Sequence, residues 1–162
     1  MTAMKKIYKG LAIISALSVL HGCVNVPVIK PGDADYDRIV QFQPSDDKGV
    51  LYVYRDVGSH YGLFQLELQI EGKEDIVTSP SSFVRIELEP GNYQLEADHP
   101  DIFGFEDELD LVFAAGETRY LEFKPVARFI VPGSSYLLEV DEAAAQDKIR
   151  TQNLVPRTTE YR

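Results

Sequence analysis

The chain has 162 residues, 44% of them apolar, and sets 26 acidic side chains against 16 basic ones for a formal net charge of −10. That length and apolar fraction fit one globular core and exclude wholesale disorder. The acidity argues against nucleic acid and against electrostatic attachment to anionic lipid, because a surface of this sign is repelled by both.

Residues 1–22 have the layout of a secretory signal: Lys5, Lys6 and Lys9, an apolar run from Leu11 to Leu20, then the small residue Gly22. The run is about half the ~20 residues that span a bilayer as a helix, which favours a cleaved leader over a membrane-spanning anchor. Leu20-His21-Gly22-Cys23 resembles the lipobox of bacterial lipoproteins, with His21 in place of the usual small or hydroxyl residue. On that reading Leu20, His21 and Gly22 are the signal-peptidase recognition residues. Cys23 becomes the first mature residue, S-diacylglyceryl on its sulfur and N-palmitoyl on its new amine. Each buried methylene of such chains adds ~0.8 kcal/mol, so two or three chains hold firmly. Without residues 1–22 the chain keeps 13 bases against 26 acids, about −13, so the lipid has to supply the membrane attachment. Val24, not Asp, follows Cys23, which by resemblance to the sorting pattern of such lipoproteins implies the outer membrane, facing the periplasm. Cys23 is also the sole cysteine, so no disulfide staples the exported domain.

Residues 23–48 read as a lipidated N-terminus and tether, rich in Pro, Gly and Asp and without sustained periodicity. If flexible, the tether reaches on the order of 25 to 30 Å. Tyr36, Ile39, Val40 and Phe42 offer it a first packed edge. From Gly49 the apolar period becomes two. Gly49 to Arg55 (GVLYVYR) is apolar on both faces and reads as an inner strand. Phe64 to Ile70 alternates cleanly, one face to the core and one to water. Val84, Ile86 and Leu88 lead into Glu89-Pro90-Gly91-Asn92, where Pro and Gly stand where a type II turn wants them, so a hairpin returning through Tyr93, Leu95 and Ala97 is expected. Leu109 to Phe113, a turn at Ala115-Gly116-Glu117 and Tyr120 to Phe123 follow. Arg128 to Val131 is a short apolar run broken by Pro132-Gly133, and Tyr136, Leu138 and Val140 give the last alternation.

About seven short strands with no helical period between them predict an all-β fold, an antiparallel β-sandwich over 49–150. One short C-terminal helix is expected, capped by Asp141, with Glu142 at its positive pole and Lys148 and Arg150 at its negative pole. At about nine residues it must dock to be stable. Residues 151–162 read as a loose tail.

GVLYVYR, Ile70-Glu71-Gly72-Lys73, Leu88 to Tyr93 (LEPGNY) and Ala115-Gly116-Glu117-Thr118 before Tyr120 occur in an order that resembles a family of bacterial lipoproteins, the domain of unknown function numbered twenty-eight forty-six. The resemblance spans roughly Gly49 to Asp147, with Glu71 where the family has Asp. It implies a compact immunoglobulin- or transthyretin-like sandwich without a known activity. The stretch from Asp98 to Glu108 is longer and more acidic than the family's usual connection.

Asp98, His99 and Asp101 followed by Glu106, Asp107, Glu108 and Asp110 could ligate a divalent cation, but the spacing fits no EF-hand or zinc pattern, and a solvated acidic loop is the commoner outcome. Tyr61, Phe64, Phe103 and Phe105 fall in or beside loops, where exposed aromatics stack on sugars or fill a partner's pocket and buried ones plug the core. Arg55 reads as a strand-end cation pairing with a local acid. No catalytic constellation is present: with Cys23 lipidated, the mature histidines are His60 and His99, and no serine-hydrolase elbow, zinc-protease or P-loop motif occurs. The expectation is a lipoprotein anchored to the cell envelope, with no enzyme activity, no cofactor, no metal and no nucleic acid. Its sandwich would serve as a protein-interaction or structural module with an envelope protein as partner; the alternative is a carbohydrate- or peptidoglycan-binding module.

Overall fold

A computed structural model of the chain describes residues 26–56, 61–62, 64–101 and 103–156. The signal, the lipobox with Cys23, and His60 lie outside the described residues. The described residues form α1 (Ala34–Ile39), β1 (Gly49–Arg55), β2 (Leu66–Ile70), β3 (Ile76–Thr78), β4 (Ser82–Leu88), β5 (Gly91–Ala97), β6 (Asp107–Phe113), β7 (Thr118–Phe123), β8 (Leu137–Glu139), α2 (Glu142–Ile149) and β9 (Asn153–Leu154). The fold is all-β. One sheet has the order β8-β7-β1-β4-β9 and the other β3-β2-β5-β6.

The two sheets face each other across a continuous apolar layer. Leu51, Val53, Val84, Ile86, Leu121 and Phe123 of the first sheet meet Leu66, Leu68, Ile70, Leu95, Leu111 and Phe113 of the second. Burying each such side chain contributes roughly 1.5–3 kcal/mol. At one end of the layer the sheets pack without room for a side chain: a Cβ on Gly49 would lie 2.5 Å from Phe113 Cδ1.

A second cluster covers the other face of the first sheet. Tyr52, Tyr54, Phe83 and Tyr120 pack there against Tyr36, Ile39 and Phe42 and against Ala145 and Ile149 of α2. All seven residues of β1 are therefore buried, as expected of an inner strand apolar on both faces. α2 forms where its cap was expected: the Asp141 carboxylate accepts from the backbone N–H of Ala143 and Ala144.

The packed body is longer at both ends than the 49–150 span. Residues expected as tether supply α1, capped by Asp33, and the buried Val26, Tyr36, Ile39 and Phe42. Phe42 holds a left-handed backbone at φ 54°, a costly conformation for a bulky residue that is offset by its ring packing 5.2 Å from Tyr52. Residues expected as a loose tail supply β9, which pairs with β4, and the buried Leu154 and Val155. The reason is common to both: the outward face of β1 and β4 is apolar and needs cover, and the flanking segments carry the apolar residues to provide it.

Two strand expectations change. The first sheet is mixed, because β1 pairs in parallel with β7, as β4 does with β9. β4 and β5 do not form a hairpin: β4 lies between β1 and β9, and β5 lies between β2 and β6. Pro90-Gly91 carries the chain from one sheet to the other, and Gly91 is not among the glycines with positive φ, so a type II turn is absent. The short apolar run Arg128 to Val131 lies outside the strands. Among the described residues no helix is long and apolar enough to cross a membrane.

Candidate functional site

The site is built where Arg55, Ala97 and Phe123 end their strands. Loops 56–65, 98–106 and 124–136 leave this end of the two sheets. The latter two are stitched by backbone bonds: the Phe105 N–H donates to Gly133 O at 3.0 Å and the Ser135 N–H to Phe105 O at 2.9 Å. Beyond this stitch the 124–136 loop runs on as a two-stranded extension through Val126 and Ser134. Its tip is apolar and in water: Phe129 is 103% exposed, Ile130 92% and Val131 52%, with Phe103 at 79% and Phe105 at 60% on the neighbouring loop. Large apolar side chains clustered like this on a surface mark an interaction site more often than scattered ones do.

Beneath the tip lies a polar layer that fixes the loops. His99 is buried, its ring 5.2 Å from that of Tyr61 in an edge arrangement. The Asp101 N–H donates to His99 Nδ1 at 3.2 Å, and His99 Nε2 has no hydrogen-bond partner among the described residues. Two glycines make room for this imidazole. A Cβ on Gly104 would lie 2.6 Å from His99 Cγ, and one on Gly133 2.5 Å from Cε1. The Tyr61 hydroxyl donates to Asp101 Oδ2 at 2.7 Å and the Gly133 N–H to the same oxygen at 3.3 Å. The Tyr61 bond, ahead of the Gly133 N–H, holds the Asp101 carboxyl below its ordinary range against the opposing effect of desolvation. Burial, then the Asp101 carboxylate, pushes Tyr61 up to about 12.

Arg55 is 1% exposed and does not pair with an acid among the described residues. Its guanidinium donates to Phe64 O at 2.7 Å and Tyr61 O at 2.9 Å, drawing Tyr61 and Phe64 in under the site. Burial brings its pKa down to about 10, still charged at neutral pH. The expected acid partner is replaced by carbonyls that engage both terminal nitrogens without a second charge to desolvate, while Nε has no partner among the described residues.

The aromatics singled out in the sequence divide. Tyr61 is buried, whereas Phe64, Phe103 and Phe105 are exposed. Phe129 to Val131, which complete the tip, read in sequence only as a short apolar run broken by Pro132-Gly133. The acidic residues around them spread out: Asp101 turns inward, Asp107 accepts from the Leu137 N–H at 2.7 Å, and Glu108 and Asp110 follow along β6. Glu106 bonds the Glu96 carboxyl and raises its pKa. Among the described residues no group of three His, Cys, Asp or Glu is placed to hold a metal ion. In comparison with known proteins, the chain matches no family model and no curated protein.

Proposed function

We propose that the chain is a lipid-anchored envelope lipoprotein whose body, a non-catalytic sandwich of the immunoglobulin or transthyretin-like kind, presents the Phe103, Phe105 and Phe129–Val131 tip to a protein partner. The exposed tip carries this reading. It is apolar and exposed, and it stands on a layer of part-buried hydrogen bonds that do not use its own side chains. A preorganised apolar projection loses little entropy when a pocket closes over it. The resemblance of the strand and turn motifs to the lipoprotein family fits the same reading.

The described residues that follow Cys23 and the tip lie at opposite edges of the first sheet. The N-terminal segment pairs through Ile29 with Leu154 beside β9, at one edge of the first sheet, while the tip rises between β7 and β8 at the other. Val26 is already buried, so only Val24 and Asn25 separate it from Cys23. Three residue steps span at most about 10 Å. With Cys23 lipidated, the body sits close to the bilayer by its β9 edge, and the tip points elsewhere.

The sugar-binding reading keeps one observation in its favour, the exposed phenyl faces of Phe103 and Phe105. The clefts on the body do not share that character. The one lined by Tyr93, Gln94 and Asp110 holds one aromatic ring and the one lined by Gln69, Lys73 and Glu96 none. A photo-reactive residue at position 129, crosslinked in living cells and followed by mass spectrometry, should capture one envelope protein. Capture of glycan alone, together with co-sedimentation on purified sacculi, would replace the partner by peptidoglycan. Palmitate labelling tests the anchor: it should vanish in Cys23→Ala, and retained labelling would overturn it.

A further inference from the structure

A cleft on the described body lies away from the tip. It has a volume of about 520 Å³, between the segment that follows α1 and the outward face of β1 and β4. That size lies within the range of small-molecule sites. Its floor is Tyr52 and Arg85, and its walls carry Arg38, Gln41, Gln43, Ser45 and Glu87.

The charge there runs against the rest of the molecule. The chain has 26 acids to 16 bases, yet this cleft is lined by two arginines and one acid. That acid is already engaged: Glu87 Oε1 is 2.7 Å from Arg85 and Oε2 is 3.9 Å from Lys48. Arg85 is held in place from beneath by the Tyr52 hydroxyl, which itself donates to Ile39 O at 3.1 Å. Its side chain is 15% exposed, and it lines the cleft. A guanidinium has five donors, more than Glu87 and Tyr52 can absorb, and its planar fork matches an oxyanion. Arg38 stands at the rim with its side chain 65% exposed, tied to Asp35 by one bond at 3.2 Å. The strained backbone at Phe42 fixes the wall that carries Gln41 and Gln43.

We infer that this cleft binds a small organic ligand through an oxyanion, a carboxylate or phosphate, seated against Arg85 and closed over by Arg38, with the Gln41 and Gln43 amides and the Ser45 hydroxyl contacting its polar remainder. The inference is independent of the tip and of the lipid anchor.

Calorimetry on the full-length protein in non-ionic detergent at low salt tests it, with three probes: an N-acetylated dipeptide with a free carboxylate, the same dipeptide as its C-terminal amide, and inorganic phosphate. Saturable heat is expected with the free carboxylate or with phosphate, at least tenfold tighter than with the amide. Which of the two binds tells whether the ligand is a carboxylic acid or a phosphoryl compound. Arg38→Gln, at an exposed position that leaves the fold alone, should weaken binding about three- to tenfold, and Arg85→Gln should abolish it. Backbone amide shifts on titration should fall at residues 38–45 and 85–87. Measurable and equal affinity for the dipeptide and its amide, affinity for the bound probe unchanged in Arg38→Gln, or no saturable heat from any probe would each overturn the inference.

Discussion

Two apolar runs of this chain meet opposite fates. Gly49 to Arg55 is buried from end to end, and Phe129 to Val131, of comparable apolar character, stands in water. The difference is one of neighbours. β1 has β4 on one side and β7 on the other, a second sheet in front and two helices behind, so each of its residues is covered whichever way it points. The 129–131 run lies past the end of β7, beyond any facing strand of the second sheet, and Pro132 prevents it from extending the ladder there. Apolar composition alone therefore does not say whether a segment holds the fold together or offers itself to something outside it.

The strongest test of the contrast is at the buried run. Leu51→Ala removes a side chain with no exposure from the layer between the sheets. It should cost about 2–5 kcal/mol, read as a lowered urea midpoint with an unchanged slope. A cost below about 1 kcal/mol would mean that the two runs are not energetically distinct.

Next in size is the layer under the tip. Gly104→Ala drives a methyl group into the His99 ring and should cost about 1–3 kcal/mol. Because the three nearest atoms to that methyl all belong to His99, the double variant with His99→Ala should be more stable than the sum of the two single effects implies. Gly133→Ala should not be relieved in the same way, since its methyl would also lie 2.7 Å from the backbone oxygen of Val126. A fully additive Gly104 and His99 pair would show that the imidazole does not occupy the space assigned to it.

How much of this was legible beforehand depends on whether the signal was local. The alternation of β1 and β2 and the Asp141 cap are properties of consecutive residues and lie close to where they were expected, except that β2 starts at Leu66 and Phe64, expected inward, is 49% exposed. The Pro90-Gly91 turn was legible as a turn, but which sheet receives the next strand is decided by β1 and β9 flanking β4, and no residue near Pro90 encodes that. Tyr36, Ile39 and Phe42 were visible as apolar residues able to pack, while the surface they cover comes from β1, β4 and β7. Phe103 and Phe105 could be read as loop aromatics, but the joining of their loop to the one that carries Phe129 depends on the backbone stitch between Phe105 and Gly133. The Arg38 and Arg85 cleft was silent, because its two cations come from a helix and a strand far apart in the chain.

A smaller effect is expected from acid. Asp101 has its carboxyl held below the unfolded value, so its contribution is complete above about pH 3.9 and is lost as the pH falls through the lower folded value. Tyr61 sets the other limit: raised to about 12, its contribution is present below pH 10 and is lost as the pH rises through about 12. Between these limits the loops should stay joined. Below about pH 4, amide exchange should rise at Gly133 and around Tyr61 before it rises in β1, and Asp101→Asn should abolish that acid-dependent step. Simultaneous loss of protection in β1 would show that the tip and the core open as one unit.

The smallest effect on stability is expected at the tip, and it is the most informative. Phe129→Ser with Ile130→Ser removes two large side chains that are 103% and 92% exposed, so the folded state loses almost no buried area. Surface substitutions of this kind change stability within about 0.5 kcal/mol. The unfolding midpoint should therefore match that of the unaltered protein, while the in-cell crosslinked partner disappears. A stability loss above about 1 kcal/mol would mean that the tip packs onto the body in solution. The run would then be a displaced part of the core, and its contrast with β1 would vanish.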